Sequence, residues 1–290
     1  MAAAVTATIL GAGAGALGYE LRPAGPRAAP MASAQSVTPS SPTTPTVTAT
    51  FSLPPTTSPT PTPSPTPTPN TATPTAQPLA GRVVALDPGH GPHGGSNRQV
   101  PDGRGGTKAC NTSGTATDAG YPEHAFNYDV AVRTRALLEA QGAKVLLTRD
   151  DGSNSLVCVD QRGTFAQDNG ADLLVSIHGD GNTDRSVKGF FAIVSSPPLN
   201  TAQDEPSLAL AQAVLDRLNE AGFTQNAAYP GGISRREDIA GVALSTKPVV
   251  MFELGEMRNP EEAALMSSED GRQRYANAVA AGITDWLQSH

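Results

Sequence analysis

VVALDPGHGPHGG, residues 83–95, opens with four apolar residues and then breaks into Asp-Pro-Gly-His-Gly. The first half has the length and branching of a buried strand, while the second half can continue neither a strand nor a helix. His90 therefore stands three residues beyond the end of a strand predicted over 82–87. What that histidine does depends on the elements that follow it.

Downstream, apolar runs alternate with helical periodicity. Phe126, Val130, Leu137 and Leu138 recur at helical spacing between Pro122 and Gln141, with Pro122 suited to a first turn and Gly142 to a stop. Strands are predicted at KVLLTR (144–149), DLLVSIH (172–178), GFFAIV (189–194) and PVVMFEL (248–254). Helices are predicted over 160–169, 205–220 and 269–288. Strands that are apolar on both faces and separated by helices imply an α/β fold, a mostly parallel central sheet with helices on both faces.

Upstream of residue 81 the composition changes. Residues 37–80 carry no charge and hold half of the chain's 26 prolines, in runs such as SPTPTPSPTPTPN. A segment so poor in large apolar side chains cannot offset its ordering entropy, so it is read as a disordered, extended Thr/Pro linker. Residues 1–36 have an uncharged start and Ala32-Ser33-Ala34, a small-residue cleavage pattern, but lack a basic leader. They are read as a signal or membrane-targeting segment, with a disordered extension as the alternative. The folded unit is expected over 81–290. The chain's net charge is −7 and no basic stripe interleaves with aromatics, which argues against nucleic acid. Monomer is the default expectation. Cys110 and Cys158 are the two cysteines, and neither lies in a CxxC pair. Beside such a linker they favour export and one disulfide, the alternative being two buried thiols.

In open α/β sheets the working groups collect outside the carboxyl ends of the strands. His90 and His178 fall there, Glu253 lies near the end of 248–254, and Glu123 opens the first helix on its core-facing stripe. Two imidazoles and a carboxylate form the donor set of a catalytic zinc site with an open position, and Glu253 is left to move protons. Spacings of 33 and 55 residues are not diagnostic alone. The same residues also fit a turn histidine, a core histidine and a carboxylate favoured by a helix N-terminus.

LDPGHG (86–91), Glu123 followed by Asn127, SIH (176–178) and FELGEMRNPEEA (252–263), with TRD (148–150) and Arg162, occur in the order seen in zinc-dependent N-acetylmuramoyl-L-alanine amidases of the amidase-3 family. Residues 82–288 resemble that family throughout. The resemblance implies one zinc ion bound by His90, Glu123 and His178, with Glu253 as the catalytic carboxylate. It implies an exported enzyme of a bacterial periplasm or cell wall. Its substrate would be peptidoglycan, cut at the amide joining the lactyl group of N-acetylmuramic acid to L-alanine of the stem peptide. Three departures bear on this. GHGPHGG adds Pro92 and His93, which makes His93 a competing ligand or a rim residue; Gly179-Asp180 replaces Ala-Asn; and Glu256 stands where an aromatic is common, making it a second candidate base. The polar insertion 95–120 holds Cys110, and a bridge to Cys158 would tie it to the body as a wall of the cleft. Another zinc peptidase or deacetylase, or a non-catalytic wall-binding protein, remains the competing reading.

Overall fold

A computed structural model describes residues 77–150 and 156–290. The expected targeting segment, and the expected linker as far as residue 76, lie outside the described residues. Six strands form one sheet: β1 (Val83–Pro88), β4 (Lys144–Leu147), β5 (Leu173–Asp180), β6 (Phe191–Ser195), β7 (Ile233–Arg236) and β8 (Val249–Glu256). Their spatial order is β4-β1-β5-β8-β6-β7, parallel except where β6 meets β8.

The alternation of side chains along each strand divides the core into two layers. Val84, Leu86, Leu173, Val175 and Ile177 face one side, packed beneath α1 (Glu123–Glu139), α3 (Glu205–Glu220) and α6 (Glu269–Ser289). Ala85 and Leu174 face the other, where α2 (Val159–Asp168) and the short α4 (Ala240–Ala243) lie. Small residues such as Ala85, Ala166 and Ala171 keep that second layer thin. The chain runs from β1 through α1 to β4, then crosses back through α2 to β5 on the other side of β1. Right-handed crossovers in opposite directions land on opposite faces, so the loops diverge above β1 and β5 and open a crevice there.

Five strands and helices were not anticipated. The polar stretch after His90 contains an antiparallel hairpin, β2 (Ser96–Pro101) and β3 (Thr107–Asn111), with an irregular register between Ser96 and Gln99. The edge strand β7, the one-turn α4, and α5 (Pro260–Ser267) are the others. A disulfide joins Cys110 on β3 to Cys158, the residue preceding α2. Both sulfurs are buried with Val100 in a small separate core. Closing a loop of 48 residues stabilises by about 4 kcal/mol in the chain-entropy account. At its far end the hairpin is held by Arg104, which donates to Glu237 O (2.8 Å) and Ser195 Oγ (2.9 Å), and by Lys108 to Asp238 O. The N-terminal boundary also moves. Leu79 is fully buried in the main core and its N–H donates to Gln141 O at 3.0 Å, so packing begins before the expected Gly81.

Candidate metal centre

Each proposed ligand is delivered by a different element. β1 ends at Pro88, and the chain turns through Gly89 to His90, which adopts φ 57°. Glu123 is the first residue of α1 and is 3% exposed, because the stripe it shares with Phe126 and Val130 faces the sheet. His178 lies near the carboxyl end of β5, paired in register with Glu253 of β8.

These side chains converge on one carboxylate oxygen. Glu123 Oε1 lies 3.1 Å from His90 Nε2 and 3.0 Å from His178 Nδ1, and the imidazole centroids are 4.8 Å apart, edge to face. Among the described residues, His90, Glu123 and His178 form one group whose ligand atoms all lie within 4.8 Å of one another. His90 Nδ1 is bound to Thr112 O at 2.9 Å, which fixes the ring and turns Nε2 toward the cluster. Gly89 lets the turn pass directly against His178, since a Cβ there would sit 2.1 Å from the imidazole. Gly114, at φ 76°, does the same behind Glu123, where a Cβ would come within 2.7 Å of Oε2.

The donor set passes the chemical test for a metal ion. Two imidazoles and one carboxylate, Glu123 and His178 buried and His90 half-buried, close together and held by surrounding hydrogen bonds, fit the donor set of a catalytic zinc site with one position left open. Glu123 Oε1 also accepts from Asn127 Nδ2 (3.2 Å) and Gly179 N (3.3 Å), and Oε2 accepts from Thr115 N (2.9 Å). Burial alone would raise this carboxyl, but His178 and His90 hold it well below the usual carboxylate range. Burial lowers His178 as well, and His90 adds to that effect. At His90 burial is outweighed by Glu123, which raises the imidazole.

The two glutamates of β8 differ. Glu253 lines a cleft of about 460 Å³ that also exposes His90, His178 and Asp180, yet its Oε2 is enclosed without a hydrogen-bond partner. Burial raises its carboxyl well above the ordinary range, reinforced by the charges of Glu123, Asp180 and Glu256. Glu256 is 1% exposed and lies outside the cleft lining. Its Oε2 is enclosed without a partner like that of Glu253, but its Oε1 accepts from the backbone N–H of Asn182 (2.6 Å) and Arg258 (3.2 Å), which makes it a loop brace. Burial raises its carboxyl too, with those amides opposing. Asn127 is buried behind the cluster, where it links Glu123 to Gly89 O. His93 is exposed and lies outside both the ligand group and the cleft lining; its place on the turn after Gly91 carries it to solvent.

The rest of the cleft was not read from the sequence. Phe191, Ile193, Tyr229 and Met251 form an apolar side, while Lys108 of the hairpin and Arg236 of β7 add two cations. Lys108 and Ala109 bear out the insertion as a wall of the cleft. Arg236 sits on a four-residue edge strand whose sequence, ISRR, has too short a pattern to signal a strand.

A His-Glu-His group that could hold a metal ion, at the carboxyl edge of a mostly parallel sheet and beside a carboxylate with an unpartnered oxygen, is an arrangement suited to hydrolysis. The family model described as N-acetylmuramoyl-L-alanine amidase matches residues 84–285, and the chain belongs to that family. An N-acetylmuramoyl-L-alanine amidase of Mycobacterium tuberculosis is 43% identical over 216 residues, covering 72% of this chain and 88% of its own length. The crystal structure of the N-acetylmuramyl-L-alanine amidase Ami1 from Mycobacterium smegmatis superposes with a TM-score of 0.70 at 44% identity, covering 73% of this chain and 99% of that one. The apo form of Ami1 from Mycobacterium abscessus gives 0.68 at 43% identity, covering 72% and 100%.

Proposed function

We propose that the protein is a zinc-dependent peptidoglycan amidase that cleaves the bond between the lactyl group of N-acetylmuramic acid and L-alanine of the stem peptide. The observation that carries this reading is Glu253, a cleft carboxylate with an unpartnered oxygen beside the His90–Glu123–His178 group. Zinc held by those three residues would polarise the scissile carbonyl and acidify a water molecule. Glu253 accepts the water proton as the water oxygen bonds to the lactyl carbonyl carbon. It then donates that proton to the alanine nitrogen as the carbon–nitrogen bond breaks. Burial raises the Glu253 carboxyl, which favours the protonated form that donates to the departing amine. Asn127 and the Thr115 and Gly179 amides hold the Glu123 carboxylate in place meanwhile. Lys108 and Arg236 also line the cleft, each tied to Asp238, and would present positive charge toward carboxylates of the stem peptide.

The enzyme acts outside the cytoplasm, at the cell wall, as a monomer, and residues 1–36 direct its export. Among the described residues no helix is long and apolar enough to cross a membrane. The test is release of peptide from a defined muramyl peptide by the full chain, before and after chelation. A product with a free L-alanine amino terminus, lost on chelation and restored by zinc, supports the reading. Cleavage at another amide moves the protein to a different zinc peptidase or deacetylase activity. No cleavage by zinc-loaded protein would oppose it.

A further inference from the structure

We propose that Arg149 and Arg162 are positioning residues that clamp the Pro88–Gly89–His90 turn and so preorganise the ligand group for one metal ion; this rests on the metal-dependent reading above. His90 occupies the left-handed region at φ 57°, which a residue bearing a Cβ enters at a cost unless its surroundings impose it. The surroundings here are two guanidinium groups. Pro88 O accepts from Arg149 Nε at 2.8 Å and from Arg162 Nη1 at 3.0 Å. Gly89 O accepts from Arg149 Nη2 at 3.3 Å and from Asn127 Nδ2 at 3.2 Å. His90 O accepts from Arg162 Nη2 at 2.6 Å. Three successive carbonyls of the turn are thus held by two arginines, each 4% exposed.

The two arginines do different work. Arg149 Nη2 also donates to His124 O at 2.7 Å, the carbonyl next along the chain from Glu123. One guanidinium therefore ties the turn carrying His90 to the helix start carrying Glu123. Arg162, from α2, is anchored by Asp87 at 2.6 Å and grips the carbonyl of the ligand residue itself. Lysine cannot replace either, because a compact ammonium does not reach carbonyls spread along a turn as a rigid planar fork does.

The experiment compares full-length wild type, Arg149→Lys and Arg162→Lys. It reads zinc affinity by competition with a chromophoric chelator, the visible spectrum of the cobalt-substituted protein, kcat and KM, and the thermal midpoint of metal-free protein. The clamp predicts zinc affinity lower by about 10–100-fold, the range for residues that orient ligands from behind. It also predicts an altered cobalt spectrum and a fall in kcat with little change in KM. Should Arg162→Lys fail to fold, Arg149→Lys keeps the Asp87–Arg162 pair and carries the same comparison. Variants with wild-type zinc affinity and cobalt spectrum, whatever their thermal midpoint, would overturn the clamp and leave the amidase reading intact. A wild type that binds no zinc would overturn both.

Discussion

Asp87 and Glu253 are carboxylates at the same edge of the sheet, on the two strands that flank β5, and their surroundings shift them in opposite directions. Burial works against ionisation at both. Around Asp87 it is overridden by Arg162 at 2.6 Å and by the hydroxyls of Ser176 (2.6 Å) and Thr148 (2.5 Å), which hold the carboxyl at about 2. Around Glu253 the neighbours are acids, and the carboxyl is pushed up instead. The fold wires one buried carboxylate as a strut and leaves its counterpart short of partners. The difference separates a group that holds the site together from a group free to move a proton.

Truncating the strut should produce the largest change in stability. Asp87→Ala leaves Arg162 buried without its counter-charge and is expected to cost about 3–5 kcal/mol in denaturant unfolding. A loss below about 1 kcal/mol would mean the pair is no strut. The pH dependence sharpens the contrast. Asp87 has a folded pKa near 2 against an ordinary 3.8, so its contribution is fully present above about pH 4 and is lost as pH falls through 2. That shift corresponds to about 2 kcal/mol. An Asp87→Asn variant should lack this acid limb.

Glu253 has the reverse sign. Its raised folded pKa means the metal-free protein loses stability as pH rises above the ordinary glutamate value toward the folded one. Glu253→Gln should therefore melt higher than wild type at neutral pH in the absence of metal, and a lower midpoint would contradict its unpartnered state. The smallest effect concerns Glu256. Glu256→Gln keeps an oxygen for the Asn182 and Arg258 amides, so peptide release should fall by less than about tenfold, below what general acid–base catalysis supplies. A larger fall would return Glu256 to candidacy as the base.

Much of this was legible in the sequence because it rests on local pattern. The apolar runs of β1, β5 and β8 and the helical spacing in α1, α3 and α6 come from burial on the sheet, and they place His90, His178 and Glu253 at one edge. The hairpin was illegible because its strands, SNRQVP and TKACN, are held by a disulfide and by Arg104 and Lys108, not by an apolar face. α5 had a readable start that was missed: Asn259 caps the Glu261 and Glu262 amides and Pro260 follows it. The contrast between Asp87 and Glu253 could not be read at all. It depends on which side chains arrive from strands and helices distant along the chain, Arg162 in one case and Glu123 and Asp180 in the other.

The most direct test measures zinc content and stem-peptide release together in Glu253→Gln. The account predicts one zinc per chain, as in wild type, with release lower by about 10²–10⁴-fold, the span of a lost general acid–base group. A zinc-loaded Glu253→Gln that releases peptide at the wild-type rate would contradict it.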